Sequence, residues 1–291
     1  MKPQYENQLM ASVLLWLDNK VLTKGEAFFN YSGLLYRLPS DTYISGTTTY
    51  KAFGAPYKPI VADSAISTSA IVPARIYVSG QNGNQPVTGN FSYREGQFHT
   101  DLTGTLVISG HLSVKEFNIN LTNKTDAELL FETKYVPRPK IPVVPSGLGK
   151  NVITYPAVFL INNGGKSEEF AFGGMETTIS NVRAVVIADN TFNLDAICSI
   201  MKDQARGCIP LLAGDEYPYN SFGFTKSATG FNYNNLVGDR VSYDSGAFIK
   251  NVMVTRLDSN ARIMSEVRDI NPEIFPAFVD FTLEKARYPR S

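Results

Sequence analysis

The run Thr178-Ile179-Ser180-Asn181-Val182-Arg183-Ala184-Val185-Val186-Ile187-Ala188 constrains this chain most. Rich in Val, Ile and Thr, it reads as one long strand. Asp189-Asn190-Thr191-Phe192 follows, and then an amphipathic segment to Ala205. Phe192, Ala196, Ile197, Ile200 and Met201 share one helical face there, and Gly207 lies past the end. This strand–helix unit has no phosphate-cradling glycine loop, no nucleophile elbow and no metal ligand set. It reads as a scaffold whose product is shape.

The length of 291 residues sets a prior of two domains. Residues 5–24 read as a helix, with Leu9, Met10, Val13, Leu14, Trp16, Leu17 and Val21 at three- and four-residue spacing and Gly25 as a stop. That apolar set is wider than one surface stripe, so the helix packs on its own domain or against a neighbouring subunit. From Phe28 to Tyr135 the pattern changes to short strands punctuated by Gly, Pro and Asn. Tyr43–Tyr50 reads as a strand and Ala74–Ser79 as another, with a flexible loop at 80–84. Residues 91–93 and 97–99 flank Arg94-Glu95-Gly96 as a tight hairpin. Gly110 marks a second hairpin or a bulged bend. Four prolines between Pro137 and Pro145 enforce an extended strap. Beyond it, Ala157–Ile161 and Glu168–Phe172 read as partners joined by a turn at Asn162-Asn163-Gly164-Gly165. Ala247–Leu257 and Ala277–Ala286 read as two more strands, with turns at Asn271-Pro272 and Phe275-Pro276. The stretch 213–245 reads as loop, dense in Tyr, Asn, Gly and Phe.

Charge excludes little and favours no polyanion. Lys+Arg and Asp+Glu are both 27. A zero balance gives no reason to expect nucleic-acid binding, which depends on neutralising phosphate, and it does little to keep identical copies apart. Arg138, Lys140 and Lys150 make the strap basic, as a solvated linker or as a contact for an acidic neighbour. Cys198 and Cys208 are too close along the chain, across a helix end, to bridge, so two buried thiols are expected. The first residues lead into no uninterrupted apolar run, and no segment approaches the ~20 apolar residues of a membrane span. Synthesis and assembly in a cytoplasm are therefore expected.

Chemistry-bearing clusters are few. His99 and Asp101 would share one face of a strand, a pair that can bind metal or relay a proton but also occurs on ordinary hairpins. Glu168 and Glu169 would point to opposite faces. Asp215-Glu216-Tyr217-Pro218-Tyr219-Asn220 mixes acids with tyrosines, as sugar sites do, and also suits a stiff interface loop. Arg256, Arg262, Arg268, Arg287 and Arg290 are interleaved with acids, which suits ion pairs better than DNA contact.

Phe172-Gly173-Gly174, then Val182 to Asp189, then Phe192 and Leu194-Asp195-Ala196, resemble virion structural proteins of tailed bacteriophages. The likeness is to large, T4-like contractile-tailed phages, marine ones included. Leu15-Trp16-Leu17-Asp18 with Lys24-Gly25, and Phe53-Gly54-Ala55-Pro56-Tyr57 with Asp63-Ser64, add to it. The resemblance implies a neck, tail-completion or connector role and carries no catalytic signature. Small tail-terminator and neck proteins also set an antiparallel sheet beside helices and close into rings. The additional β-domain here departs from that plan.

The expected fold is α+β. Residues 1–136 would form the N-terminal helix and an antiparallel β-sandwich or barrel. Residues 137–149 would be the proline-rich linker, and 150–291 an antiparallel sheet with one or two helices on one face, tail-terminator-like. The expected function is a structural ring subunit of a phage neck or tail, resident in the virion after assembly in the host cytoplasm. It would not be an enzyme, and would need no cofactor and no metal. Its partners would be copies of itself and neighbouring phage neck and tail proteins, with no membrane and no specific nucleic acid. The contact residues would be Trp16, Leu17, Arg138, Lys140, Tyr217, Tyr219, Arg256 and Arg287. The alternative is a carbohydrate- or receptor-binding β module with its site at 215–235, and a third reading is a glycan hydrolase using Asp215 or Glu216.

Overall fold

Apolar residues crowd every side of helix α1 (Tyr5–Gly25), and a helix that is apolar all round must be buried. Leu9, Met10, Val13, Leu15, Trp16, Leu17, Val21 and Leu22 all lie in the largest core of the protein. The backbone N–H of Gln4 donates to Asn7 at the start of the helix, and Glu26 ends it in the left-handed region at φ 46°. In this computed structural model the chain is an α+β fold, with α1 and two curled, largely antiparallel sheets, each a half-barrel. The structure describes residues 4–63, 65–80, 83–87, 89–132, 135–137, 147–149, 152–171, 174–212, 216–219, 231–237, 246–257 and 261–288.

The first sheet has seven strands: β1 (Phe28–Ser45), β2 (Thr48–Gly54), β3 (Arg75–Gly80), β4 (Gly83–Pro86), β5 (Asn90–Ser92), β6 (Gln97–Thr100) and β7 (Ile108–Lys115). Their order is β4-β3-β7-β1-β2-β6-β5, antiparallel throughout. One curled sheet stands where the strand pattern reads as a closed sandwich or barrel. Leu35, Phe53, Tyr57, Ile60, Phe98, Ile108 and Leu112 fill its concave core.

Three local readings of this half change. Tyr43–Tyr50 is not one strand, because the chain reverses at Gly46, whose φ of 61° suits glycine. Thr and Tyr flank that turn on both sides, which conceals it in the sequence. The glycine-rich stretch 80–84 is a hairpin in which Gly80 faces Gly83, with 81 and 82 outside the described residues. Gly110 makes no bend. A Cβ there would lie 3.2 Å from Ile76 and 3.5 Å from Leu35, so its role is to let side chains of neighbouring strands approach. The hairpin at Arg94-Glu95-Gly96 forms as read, with Ser92 facing Gln97.

Strand β8 (Asn118–Leu121) follows β7 but pairs in parallel with β11 (Ala157–Ala171) of the second sheet. Between them lie α2 (Asp126–Leu130) and the parallel pair β9 (Tyr135–Pro137) and β10 (Ile153–Tyr155). The proline strap, including Arg138 and Lys140, lies outside the described residues apart from Pro137 and 147–149. After β11 come β12 (Met175–Ala188), α3 (Thr191–Lys202), β13 (Cys208–Pro210), α4 (Tyr233–Val237), β14 (Gly246–Arg256), α5 (Ala261–Ile270) and β15 (Phe275–Arg287). The second sheet runs β13-β14-β15-β12-β11-β8.

Strands β12 and β15 form its spine, in unbroken register from Glu176↔Arg287 to Ala188↔Phe275. Alternation along β12 decides the packing. Val182, Ala184, Val186 and Ala188 face α1 and α3, whereas Val185 and Ile187 face α2 and α5 through Leu129, Leu130, Met264 and Val267. Helices therefore cover both faces at this end, where one covered face was expected. Asn162-Asn163-Gly164-Gly165 is not a hairpin turn. Gly164 has a φ of 75°, and a Cβ on Gly165 would sit 2.1 Å from the carbonyl oxygen of Ile179. The two glycines build a β-bulge that lets β11 run on to Ala171 beside β12. Phe275-Pro276 is likewise the first part of a strand, where proline is tolerated, and α5 makes the connection. On α3 the buried face is Leu194, Ile197, Cys198 and Met201, while Phe192, expected inside, is 81% exposed at the first turn.

Helix α1 and strand β8 precede the proline strap, yet both complete the sheet built mostly from residues after it. The packing of α1 predicts that Leu17→Ala costs about 2–5 kcal/mol, because the fully buried side chain leaves a cavity in the main core. Urea unfolding of the variant checks this. A change within the scatter of surface substitutions would contradict it.

Candidate functional site

Ionic chemistry at the junction of the two sheets is concentrated on Asp18, Lys115 and Tyr233. Helix α1 supplies Asp18, the end of β7 supplies Lys115, and α4 supplies Tyr233. All three are buried. The Lys115 ammonium and the Tyr233 hydroxyl both donate to Asp18 Oδ2, and Lys115 Nζ lies 3.3 Å from the Tyr233 oxygen. Burial pushes the Asp18 carboxyl above its usual range, against the pull of Lys115. Asp63 sits nearby, held by the Ala65 N–H at 2.9 Å and also pushed up by burial. Through these contacts the trio ties α1, the first sheet and α4 together.

The residues singled out in the sequence fall in several places. Trp16 and Leu17 are 3% and 0% exposed, covered by the chain's own core. Tyr217 and Tyr219 are half-buried in a chain of edge-on rings, Tyr217–Tyr219–Phe231–Tyr233, with centroids 4.9 to 5.9 Å apart. They pack on the main core and form no exposed aromatic platform. Arg256 pairs with Asp195 at 2.6 Å across β14 and α3. Arg287 lies 4.6 Å over the Tyr5 ring and donates to Thr178 at 2.8 Å, closing the sheet onto the start of α1. His99 is buried with the Tyr43 ring edge-on at 5.3 Å, while Asp101 is exposed beyond the end of β6. Among the described residues no group of three His, Cys, Asp or Glu side chains is placed to hold a metal. Asp215 lies outside the described residues, and Glu216 is exposed.

Several concavities are large enough to take a ligand, among them a cleft on the first sheet and a groove between the sheets. The cleft, of about 570 Å³, is lined by Asp41, Tyr43, Ile44, Glu95, Gln97 and His99. Gln97 donates to Asp41 at 2.7 Å inside it. The groove has cavities of about 220 and 160 Å³ that share Arg94, Asn118, Asn120 and Leu121. In the sequence Arg94 marks only a turn, and Asn118 and Asn120 belong to no motif. Their period-two spacing on a strand was the one available signal, since it sends both amides to the same face.

The sheet edges are the other conspicuous feature. Strand β8 covers the outer edge of β11 only as far as Leu160. From Asn162 to Glu169 that edge is exposed, and no described strand pairs with its outer side. At the opposite side of the sheet β13 covers β14 only over Gly246 to Phe248. Beyond Ile249 the outer side of β14 has no described strand partner, and Lys250, Asn251, Met253 and Thr255 are exposed. The exposed stretch of β11 carries Lys166, Glu168 and a bulge, features that discourage indiscriminate pairing. No protein-family model and no curated protein matches the chain.

The buried trio gives a direct prediction. Asp18→Ala leaves the Lys115 ammonium buried and uncompensated, and should cost about 3–5 kcal/mol. Asp18→Leu combined with Lys115→Met should recover most of that loss in denaturant unfolding. Equal loss in single and double variants would contradict the pairing.

Proposed function

We propose that this protein is a structural subunit of a tailed-phage virion, of the neck, tail-completion or connector kind, that closes into a ring with copies of itself. The observation that carries the reading is the pair of open sheet edges, β11 on one side and β14 on the other. Both belong to one sheet, and they run antiparallel to each other, since each step from β11 through β12 and β15 to β14 reverses direction. A neighbour related by rotation could therefore lay its β14 along β11 and continue the sheet in the same alternating sense. Such a contact is heterologous, and heterologous contacts close when the rotation per copy divides the circle.

The two edges are offset. Ser167, in the open stretch of β11, is level with Thr178, whereas Val254 of β14 is level through Val279 with Ala184. Six residues along β12 correspond to about 20 Å. A fixed stagger between neighbouring strands is what tilts the strands of a closed sheet against its axis. The tail-terminator-like plan, a sheet flanked by helices and joined edge to edge, accommodates this. The zero formal charge leaves no net repulsion between copies.

The cleft on the first sheet favours a second reading, a carbohydrate- or receptor-binding β module of a virion. Its volume falls in the range of small-ligand sites, and Tyr43 offers a ring beside Asp41 and Gln97. Within 215–235, Tyr217 and Tyr219 pack on the core, and 215 and 220–230 lie outside the described residues.

Light scattering after size exclusion separates the readings. We expect one closed assembly of uniform copy number. Amide N–H groups alternate along a strand, so of Ser167→Pro and Glu168→Pro one removes an outward donor and spares the pairing with β12. That variant should melt as the parent does and fail to assemble. A parent that stays monomeric at high concentration, with oligosaccharide binding lost in Tyr43→Ala, would favour the second reading. Rings unaffected by either proline would contradict the edge contact.

A further inference from the structure

We infer that the groove between the two sheets, where Arg94, Asn120 and Tyr135 converge, is a binding site for a small monocarboxylate. This goes beyond the assembly reading and does not depend on it. The larger cavity of the groove is lined by Lys58, Arg94, Asn120, Lys124, Tyr135 and Phe159. Two buried polar atoms on this lining have no hydrogen-bond partner, the Tyr135 hydroxyl and the Asn120 side-chain nitrogen. Tyr135 is only 7% exposed. Buried polar groups are nearly always satisfied, so two orphans in one cavity point to something that binds there.

Their chemistry selects the ligand. The Asn120 nitrogen can only donate. Burial, reinforced by the charge of Glu132, pushes the Tyr135 phenol well above its ordinary pKa, so it too stays a donor. The cations divide into used and unused. Lys58 is engaged by Glu95 and by the Gly149 carbonyl, each at 3.0 Å, and Lys124 by Glu132. Arg94, exposed at the groove, makes no ion pair with a described residue, so its guanidinium is the cation of this lining that no described acid already holds. A single charge matches a monoanion better than a dianion, and the guanidinium fork suits a carboxylate. Phe159 and Leu129 supply an apolar wall, with Tyr135 stacked on Phe159 at 5.6 Å. A cavity of about 220 Å³ has room for a short aliphatic body behind the carboxylate.

Titration calorimetry with butyrate, acetate and inorganic phosphate tests this on the 291-residue chain. We expect butyrate to bind more tightly than acetate, and phosphate to bind weakest. Arg94→Gln should weaken butyrate about tenfold. Tyr135→Phe should weaken it severalfold while leaving the melting temperature of the free protein equal or higher, because it deletes an orphaned hydroxyl and keeps the ring. That combination distinguishes a binding role from a folding defect. Absence of binding by either carboxylate up to concentrations on the order of 10 mM would overturn the inference. Phosphate binding more tightly than butyrate, or butyrate binding unchanged in both variants, would also overturn it.

Discussion

The unbroken register between β12 and β15 is the constraint on which the rest of this structure depends. Thirteen consecutive pairs hold two long strands side by side, and the chain's own helices are too short to cover them fully. Near Val185 and Ile187 both faces are buried, by α1 and α3 on one side and by α2 and α5 on the other. Arg183 marks the limit of that cover. It pairs with Asp280 across the strands and with Asp126 at the start of α2, and lies 5.0 Å over the Phe278 ring. Beyond it the sheet continues as an arm whose outermost strand is exposed from Asn162 to Glu169. Backbone that no described strand pairs along such an arm is a template for another strand, and that physical fact underlies the assembly proposal.

A second constraint is the way the two sheets are joined. Asp18, Lys115 and Tyr233 come from positions far apart in the chain and meet in a buried knot. β7 ends at that knot, and only Glu116 and Phe117 separate it from β8, which enters the other sheet. The groove with its orphaned donors opens beside the same crossover, so a ligand there would touch elements of both sheets. The knot and the groove differ in one respect. In the knot the protein satisfies its own polar groups, and in the groove it does not.

Much of the fold was legible because it rests on local periodicity. The breadth of apolar positions in α1, the β-branched run at 178–188 and the hairpin around Arg94-Glu95-Gly96 all carry their pattern in neighbouring residues. What misled was glycine. At Gly46 it turns the chain inside a Thr-rich run, at Gly110 it does not turn it at all, and at Gly164-Gly165 it builds a bulge within a strand. One residue type serves three geometries, and tertiary packing decides among them. The transfer of β8 to the second sheet was not legible, since a parallel partner leaves no local mark. Nor was the groove. Arg94 lies in a turn, Asn120 on a short strand and Tyr135 beside the proline strap, and only the fold brings them together.

Hydrogen exchange followed by mass spectrometry, on the dispersed and the assembled protein, tests the central claim most directly. Amides whose only route to protection is a neighbouring copy should slow on assembly. The account predicts slowing over 163–169 of β11 and 251–255 of β14 together, with the amides of β12 unchanged. Equal exchange of both stretches in the two forms, with protection appearing on another surface, would contradict it.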